Sequence, residues 1–199
     1  MTSSTVLLVR HGRTVLNAED RLRGLADPEL DATGIAQAEA TAAALAPYRL
    51  EYVASSPLQR AVVTAEIVAA PSGAPHAVDP GFNDRDYGEW TGHPRADVVA
   101  EFGSVDAAPG VEPSDRVRDR ATAALDALAA RGDYSTFAVV THDAVIRLRN
   151  WERSSRPRPA TSTPAWTAPP TSWNSSSNST TTATCSARWS APRSTGWSA

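Results

Sequence analysis

Two short, unbroken apolar runs limit what this chain can fold into. Residues 5–9 read Thr-Val-Leu-Leu-Val and residues 136–140 read Thr-Phe-Ala-Val-Val, with a shorter run at 52–54. A strand with one wet face alternates apolar and polar residues. An unbroken β-rich run therefore predicts a strand buried on both faces, as in a parallel sheet. Parallel neighbours need crossovers, and the chain offers helices between the runs. Asp31 is placed to cap a helix running to about Ala46, before Pro47. Ser56, Pro57 and Gln59 read as N-cap, first helical position and capping-box partner of a helix to about Ala70. Ser114 reads as the cap of another, with Leu125 and Leu128 on its inner face and Gly132 at its end. The expected fold is α/β, a three-layer sandwich with a mostly parallel sheet. Residues 71–112 read as irregular, with one short helix at 94–102, and an irregular stretch that long is usually functional.

The pattern stops after Ile146. Residues 148–199 hold 12 Ser, 9 Thr, 6 Pro and 5 of the 6 Trp, but one Leu and no Ile, Val, Phe, Tyr or Met. So little aliphatic surface cannot offset the entropy of ordering. The expected organisation is a catalytic domain at 1–147, truncated at its C-terminal end, and a disordered Ser/Thr/Pro/Trp/Arg-rich tail at 148–199 that adds nothing to the sheet. All 19 basic residues are Arg. A GC-rich gene read out of frame gives such a composition, so the tail reads as out-of-frame translation, with a genuine extension as the alternative. The absence of Lys excludes Schiff-base and P-loop lysine chemistry. A single Cys excludes a disulfide framework. A formal charge of -3 argues against nucleic acid. No apolar run approaches the ~18 residues of a membrane span, and the run at 6–9 is too short for a signal-peptide core. The expected setting is cytoplasmic.

In open α/β sheets, ligands bind beyond the carboxyl ends of the strands. Here those ends carry Arg10-His11-Gly12-Arg13, Ser55-Ser56 with Arg60 in the following helical turn, and Thr141-His142-Asp143. Two histidines and two arginines thus meet at one sheet edge beside a helix N-terminus. Guanidinium forks and free N–H groups suit a phosphate. Neutral imidazole is nucleophilic near pH 7 and can accept a phosphoryl group. The four histidines show no metal-ligand spacing. His76 reads as a strand residue, His93 as a loop residue and Trp90 as a packing anchor.

Four ordered motifs resemble the histidine phosphatase superfamily, also called the phosphoglycerate mutase-like family. Val9-Arg10-His11-Gly12 with Thr14 and Asn17 resembles its opening signature. Arg21-Leu22-Arg23-Gly24, Asp31-Ala32-Thr33-Gly34 and Gln37-Ala38 are similar to the next segment. Ser55–Ala61 with Thr64-Ala65 resembles the second motif, Phe82–Gly92 the acid-bearing loop, and Val139–His142 the second-histidine motif. The resemblance implies a small-molecule phosphomonoester substrate, hydrolysis through phosphohistidine, and no cofactor or metal. It implies His11 as nucleophile, and Arg10, Arg60 and His142 as the phosphoryl clamp, with Asn17 at the rim. Asp84 falls at the acid position, four residues before Gly88, with Asp86 and Glu89 as competing carboxylates. Asp143 stands where many relatives have Gly, and Arg13 where many have Glu. Two alternatives stay open: mutase-type transfer, and a dead phosphate-binding remnant. Oligomeric state is not legible.

Overall fold

Val6 and Leu8 pack into one apolar cluster, Leu7 and Val9 into another, and that split organises the molecule. In the computed structural model, which describes residues 4–147 and the backbone of 185–189, the run at 5–9 lies inside strand β1, Ser4–Arg10. The order continues α1 (Val15–Ala18), α2 (Ala32–Leu45), β2 (Tyr52–Ser55), α3 (Gln59–Ala69) and β3 (His76–Val78). It ends with α4 (Arg95–Phe102), α5 (Ser114–Ala130), β4 (Thr136–Thr141) and β5 (Cys185–Trp189). The sheet order is β3-β2-β4-β1-β5. The first four strands are parallel neighbours, with Leu8 opposite Val139 and Val53 opposite Ala138.

Each central strand is buried on both faces because helices cover both. Leu7, Val9, Val53 and Val140 pack with Leu45 of α2 and Ala65 and Val68 of α3. Val6, Leu8, Phe137 and Val139 pack with Leu125 and Leu128 of α5. Burying an aliphatic side chain of this size contributes ~1.5–3 kcal/mol, so the two unbroken runs supply much of the driving force. The expected three-layer α/β sandwich is the observed one.

The stretch at 71–112 is less irregular than expected. Leu22, Tyr87, Val98, Val105 and Ala108 form a small core of their own, with Trp90 and Phe102 packed against it. Trp90 is an anchor: its indole N–H donates to the carbonyl of Pro109 at 2.8 Å, and its ring meets Phe102 edge-on. His76 lies in β3 and His93 in the turn before α4, as read.

Two helix starts differ from expectation. α3 begins at Gln59 and Ser56 does not form its capping box. The Ser56 hydroxyl donates to Asn83 Oδ1 at 3.0 Å, and Asp27 Oδ1 takes the Gln59 N–H at 2.7 Å. A carboxylate from a distant loop is the better acceptor at the positive helix end, and it frees Ser56 to tie down the 80–84 loop. Ser114 is likewise the first residue of α5, and its hydroxyl donates to Asp106 rather than capping.

The expectation that nothing after residue 147 joins the sheet is corrected by β5. Cys185–Trp189 pairs antiparallel with β1, Thr5 opposite Arg188 and Leu7 opposite Ser186. The physical reason is the free edge of β1, a row of unpaired N–H and C=O groups that accepts any strand of adequate length. The other residues assigned to the tail lie outside those described. Among the described residues, no helix is long and apolar enough to cross a membrane.

Candidate active site

The carboxyl ends of β1 and β4 bring two histidines together. Arg10 sits opposite Thr141 in the ladder, and the His11 N–H donates to the Thr141 carbonyl at 3.0 Å. His11 and His142 therefore leave adjacent strands side by side, with ring centroids 5.0 Å apart. Both are buried. The segment after His11 is locked in place. The Gly12 N–H donates to the Thr64 hydroxyl at 3.1 Å, and that hydroxyl donates in turn to the Arg60 carbonyl at 2.7 Å. Gly12 and Gly34 approach so closely that a Cβ on Gly12 would lie 2.2 Å from the Gly34 oxygen. Only a glycine pair allows the N-terminus of α2 to press against this loop.

His11 Nδ1 lies 2.6 Å from its neighbour's carbonyl, Gly12 O. A carbonyl accepts only, so the proton is on Nδ1 and the lone pair on Nε2. Nε2 is buried and has no partner. Burial lowers the imidazole well below its ordinary 6.5, with His142 and Arg60 pushing the same way. Burial and then Arg60 do the same to His142, whose ring nitrogens have no hydrogen-bond partner. Both rings are neutral at pH 7.

Arg60 and Asp84 meet in a buried ion pair. Arg60 Nη2 lies 3.0 Å from Asp84 Oδ2, and neither side chain is more than 1% exposed. The guanidinium also donates to the carbonyls of Ala26 and Gly24, at 2.6 and 2.9 Å, while its Nε has no partner. Asp84 Oδ2 is 3.6 Å from His142 Nδ1, and Oδ1 accepts the Arg85 N–H at 2.9 Å. Of the competing carboxylates, Asp86 accepts the Gly88 N–H and Glu89 is exposed. Arg10 extends to Asp143, 3.7 Å away, and burial lowers its pKa below the ordinary arginine value.

Of the residues singled out in the sequence, His11, Arg60, Asp84 and His142 form one buried cluster, with Arg10 at its edge. Asn17 helps start the neighbouring helix α1. Its side-chain oxygen accepts the N–H and hydroxyl of Thr14, at 3.1 and 2.9 Å, in a capping box that starts α1. Arg13, unassigned in the sequence, pairs with Asp31 at 2.8 Å.

Two arginines were not foreseen. Arg120 of α5 carries the acid loop, donating to the carbonyls of Gly81, Asn83 and Asp84 at 2.8–3.1 Å while Glu112 pairs with its other face. Nothing in its local sequence sets it apart from an ordinary helix-surface arginine. Arg23 bears electrostatically on Arg10, Arg60 and His142, and its Nε is buried without a partner. Its place in the second segment of the resemblance was the available signal.

Buried neutral histidines and cationic forks at strand ends describe a class of phosphoryl-handling proteins, and the chain belongs to it. The model of the histidine phosphatase superfamily (branch 1) matches residues 6–175. Phosphoglycerate mutase-like protein 4 of Arabidopsis thaliana is 34% identical over 155 residues, which is 71% of this chain and 67% of that one. The uncharacterized phosphatase PhoE of Bacillus subtilis is 30% identical over 143 residues, 72% of this chain and 74% of that one. A solved mycobacterial glucosyl-3-phosphoglycerate phosphatase complexed with VO3 superposes with a TM-score of 0.69 at 25% identity, over 75% of this chain and 81% of that one. Family and relatives make this an enzyme of phosphatase or mutase type.

Proposed function

We propose that residues 1–147 hydrolyse small-molecule phosphomonoesters through a phosphohistidine at Nε2 of His11, with no metal or cofactor. The observation that carries the reading is the 2.6 Å contact of His11 Nδ1 with the Gly12 carbonyl, which assigns the tautomer of His11. Its Nδ1–H is tied to the Gly12 carbonyl, and the lone pair on Nε2 is left buried, unprotonated and unbonded.

In the first step that lone pair attacks phosphorus and the P–O ester bond breaks. Asp84 must carry a proton in the reactive complex; it gives that proton to the leaving oxygen, and the resulting carboxylate is held by Arg60. In the second step water attacks phosphorus, Asp84 takes back a proton, and the N–P bond breaks to return the neutral imidazole. The transition state is loose and needs positioning and charge more than covalent help. Arg10 and Arg60 supply two positive charges against a phosphoryl dianion. The unbonded Nε–H of Arg60 and the single ring N–H of neutral His142 are free to donate to its oxygens. Asn17 contributes at the rim through its amide N–H groups, because its oxygen is held by Thr14.

Mutase-type transfer is the second reading, favoured by the name of the Arabidopsis relative. A mutase must hold its intermediate for re-transfer. Here residues 85–113, between Asp84 and α5, fold into a small apolar core of their own. That favours release and hydrolysis. Isomerisation of 3-phosphoglycerate in the presence of bisphosphoglycerate would decide for the mutase.

The test of the main reading is phosphoenzyme trapping with a labelled aryl phosphate. The parent chain should form an acid-labile phosphoenzyme and turn over, while His11→Ala forms none and keeps its far-UV circular dichroism. Equal labelling of the variant would remove His11 from the mechanism. A folded parent that neither labels nor turns over would be the phosphate-binding remnant.

A further inference from the structure

Four consecutive backbone carbonyls leading into the proton donor are held by side chains from elsewhere in the fold. Arg120 Nη1 donates to those of Gly81 and Asn83, at 3.1 and 2.8 Å, and Nη2 to that of Asp84 at 2.8 Å. The hydroxyl of Thr141, the residue before His142, donates to the Phe82 carbonyl at 2.7 Å. This segment lies hard against α5, since a Cβ on Gly81 would fall 2.5 Å from the Cβ of Ala124.

On the far side of Asp84 the chain is tied to Glu112. The Asp86 N–H donates to Glu112 Oε2 at 3.1 Å, and the Glu112 N–H donates to the Asp86 carbonyl at 2.8 Å. Arg85 Nε donates to the Glu112 carbonyl at 2.6 Å. The two sets of ties meet in one ion pair, with Arg120 Nε to Glu112 Oε1 at 2.9 Å and Nη2 to Oε2 at 3.0 Å. Asp84 therefore stands in mid-span between two anchor points that are themselves joined. Residues 83–87 belong to no helix or strand, so no ladder fixes them. A planar guanidinium is the one side chain whose donors can serve three carbonyls and a carboxylate together.

We propose that Arg120, locked by Glu112, is the positioning residue of the proton donor. It touches no substrate. It fixes the backbone from which the Asp84 carboxyl reaches the leaving oxygen, and so decides how well the enzyme handles alcohols that need a proton in order to leave. This rests on the phosphatase reading with Asp84 as its acid, and adds the residues outside the site that aim that acid.

The dependence on leaving group tests it. In the full chain, Arg120→Gln should lower kcat/KM for an alkyl phosphate by about 10²-fold, the effect of a ~1 Å misplacement. Phosphoenzyme formation from an activated aryl phosphate, which needs little protonation, should change by less than about threefold. In an Asp84→Asn background, Arg120→Gln should cost nothing further on the alkyl ester. Losses that add instead, or that fall equally on both esters, would mark a merely structural arginine and overturn the proposal. The charge of Arg120 also bears on His142, and Arg120→Lys separates the two effects. It keeps the charge and gives up the fork, so it should show the same selective loss; full restoration by Lys would overturn the proposal. Glu112→Gln, which keeps the side-chain shape and releases the lock, gives the same readout should Arg120→Gln fail to fold. Asp84→Asn alone keeps the two readings apart. If it is selective for the alkyl ester while the folded Arg120 and Glu112 variants are not, the positioning role fails and the acid stands. If Asp84→Asn itself loses both esters equally, the acid assignment falls and the positioning role with it.

Discussion

Gly34→Ala sets two effects of opposite sign against each other. Gly34 lies in the first turn of α2, its N–H held by Asp31 Oδ1 at 2.7 Å. In an open helix, alanine would be the better residue by ~0.8–1 kcal/mol. Here the added Cβ would lie 2.1 Å from the Arg13 oxygen and 2.7 Å from its nitrogen. Both atoms are backbone and cannot rotate away, so the helix end or the loop must retreat by about 1 Å. Overpacking of this kind costs ~1–3 kcal/mol, and the clash outweighs the propensity gain. The loop that moves is joined to His11. A misplacement of ~1 Å at reacting groups costs ~10²-fold in rate. Gly34→Ala should therefore lower the urea midpoint and reduce kcat/KM for an aryl phosphate by about 10²-fold, with secondary structure intact by circular dichroism. An unchanged or raised midpoint together with parental activity would refute the reasoning.

Asp84→Asn removes the proposed proton donor, whose value depends on the leaving group. Hydrolysis of an alkyl phosphate should fall by ~10²-fold or more, while phosphoenzyme formation from an activated aryl phosphate is largely spared. Equal losses on both would point to Asp86 or Glu89. The two histidines predict an acid instability. Their folded pKa values lie well below 6.5, so below that pH the unfolded chain binds more protons than the folded one. Stability is then fully present above about 6.5 and falls with decreasing pH, by ~1.4 kcal/mol per pH unit for each imidazole. Urea titrations between pH 7.5 and 5.5 should show this slope, and His142→Asn should remove one imidazole's share. A slope that the substitution leaves unchanged would show that other groups are responsible.

Legibility followed the range of the interactions. β1 and β4 were readable because burial on both faces leaves an unbroken apolar run, a local signal. His11 and His142 were readable because strand ends in such sheets carry the ligand groups. Arg60 and Asp84 could be chosen individually, but their pairing could not be read, since 24 residues separate them and only the fold brings them to 3.0 Å. The start of α3 was misread for a similar reason. Ser56 satisfies every local rule for a cap, yet Asp27 from a distant loop is the stronger acceptor. Arg120 gave no sign at all, because its acceptors are backbone carbonyls of the 81–84 loop, which any sequence supplies.

The position of β1 between β4 and β5 governs how the chain can be made. Its ladder partners begin at Thr136 and Cys185, so β1 is synthesised with both neighbours more than 120 residues behind it. At ~5–20 residues per second, that is roughly 6–25 s during which this apolar segment has no native partner. Closing so long a loop also exacts its entropy before any ladder bond forms, which slows folding. The His11 loop thus acquires its geometry late, and a growing chain exposes the most aggregation-prone edge of the sheet for longest. Demand for a holdase-type chaperone during synthesis follows directly from that strand order.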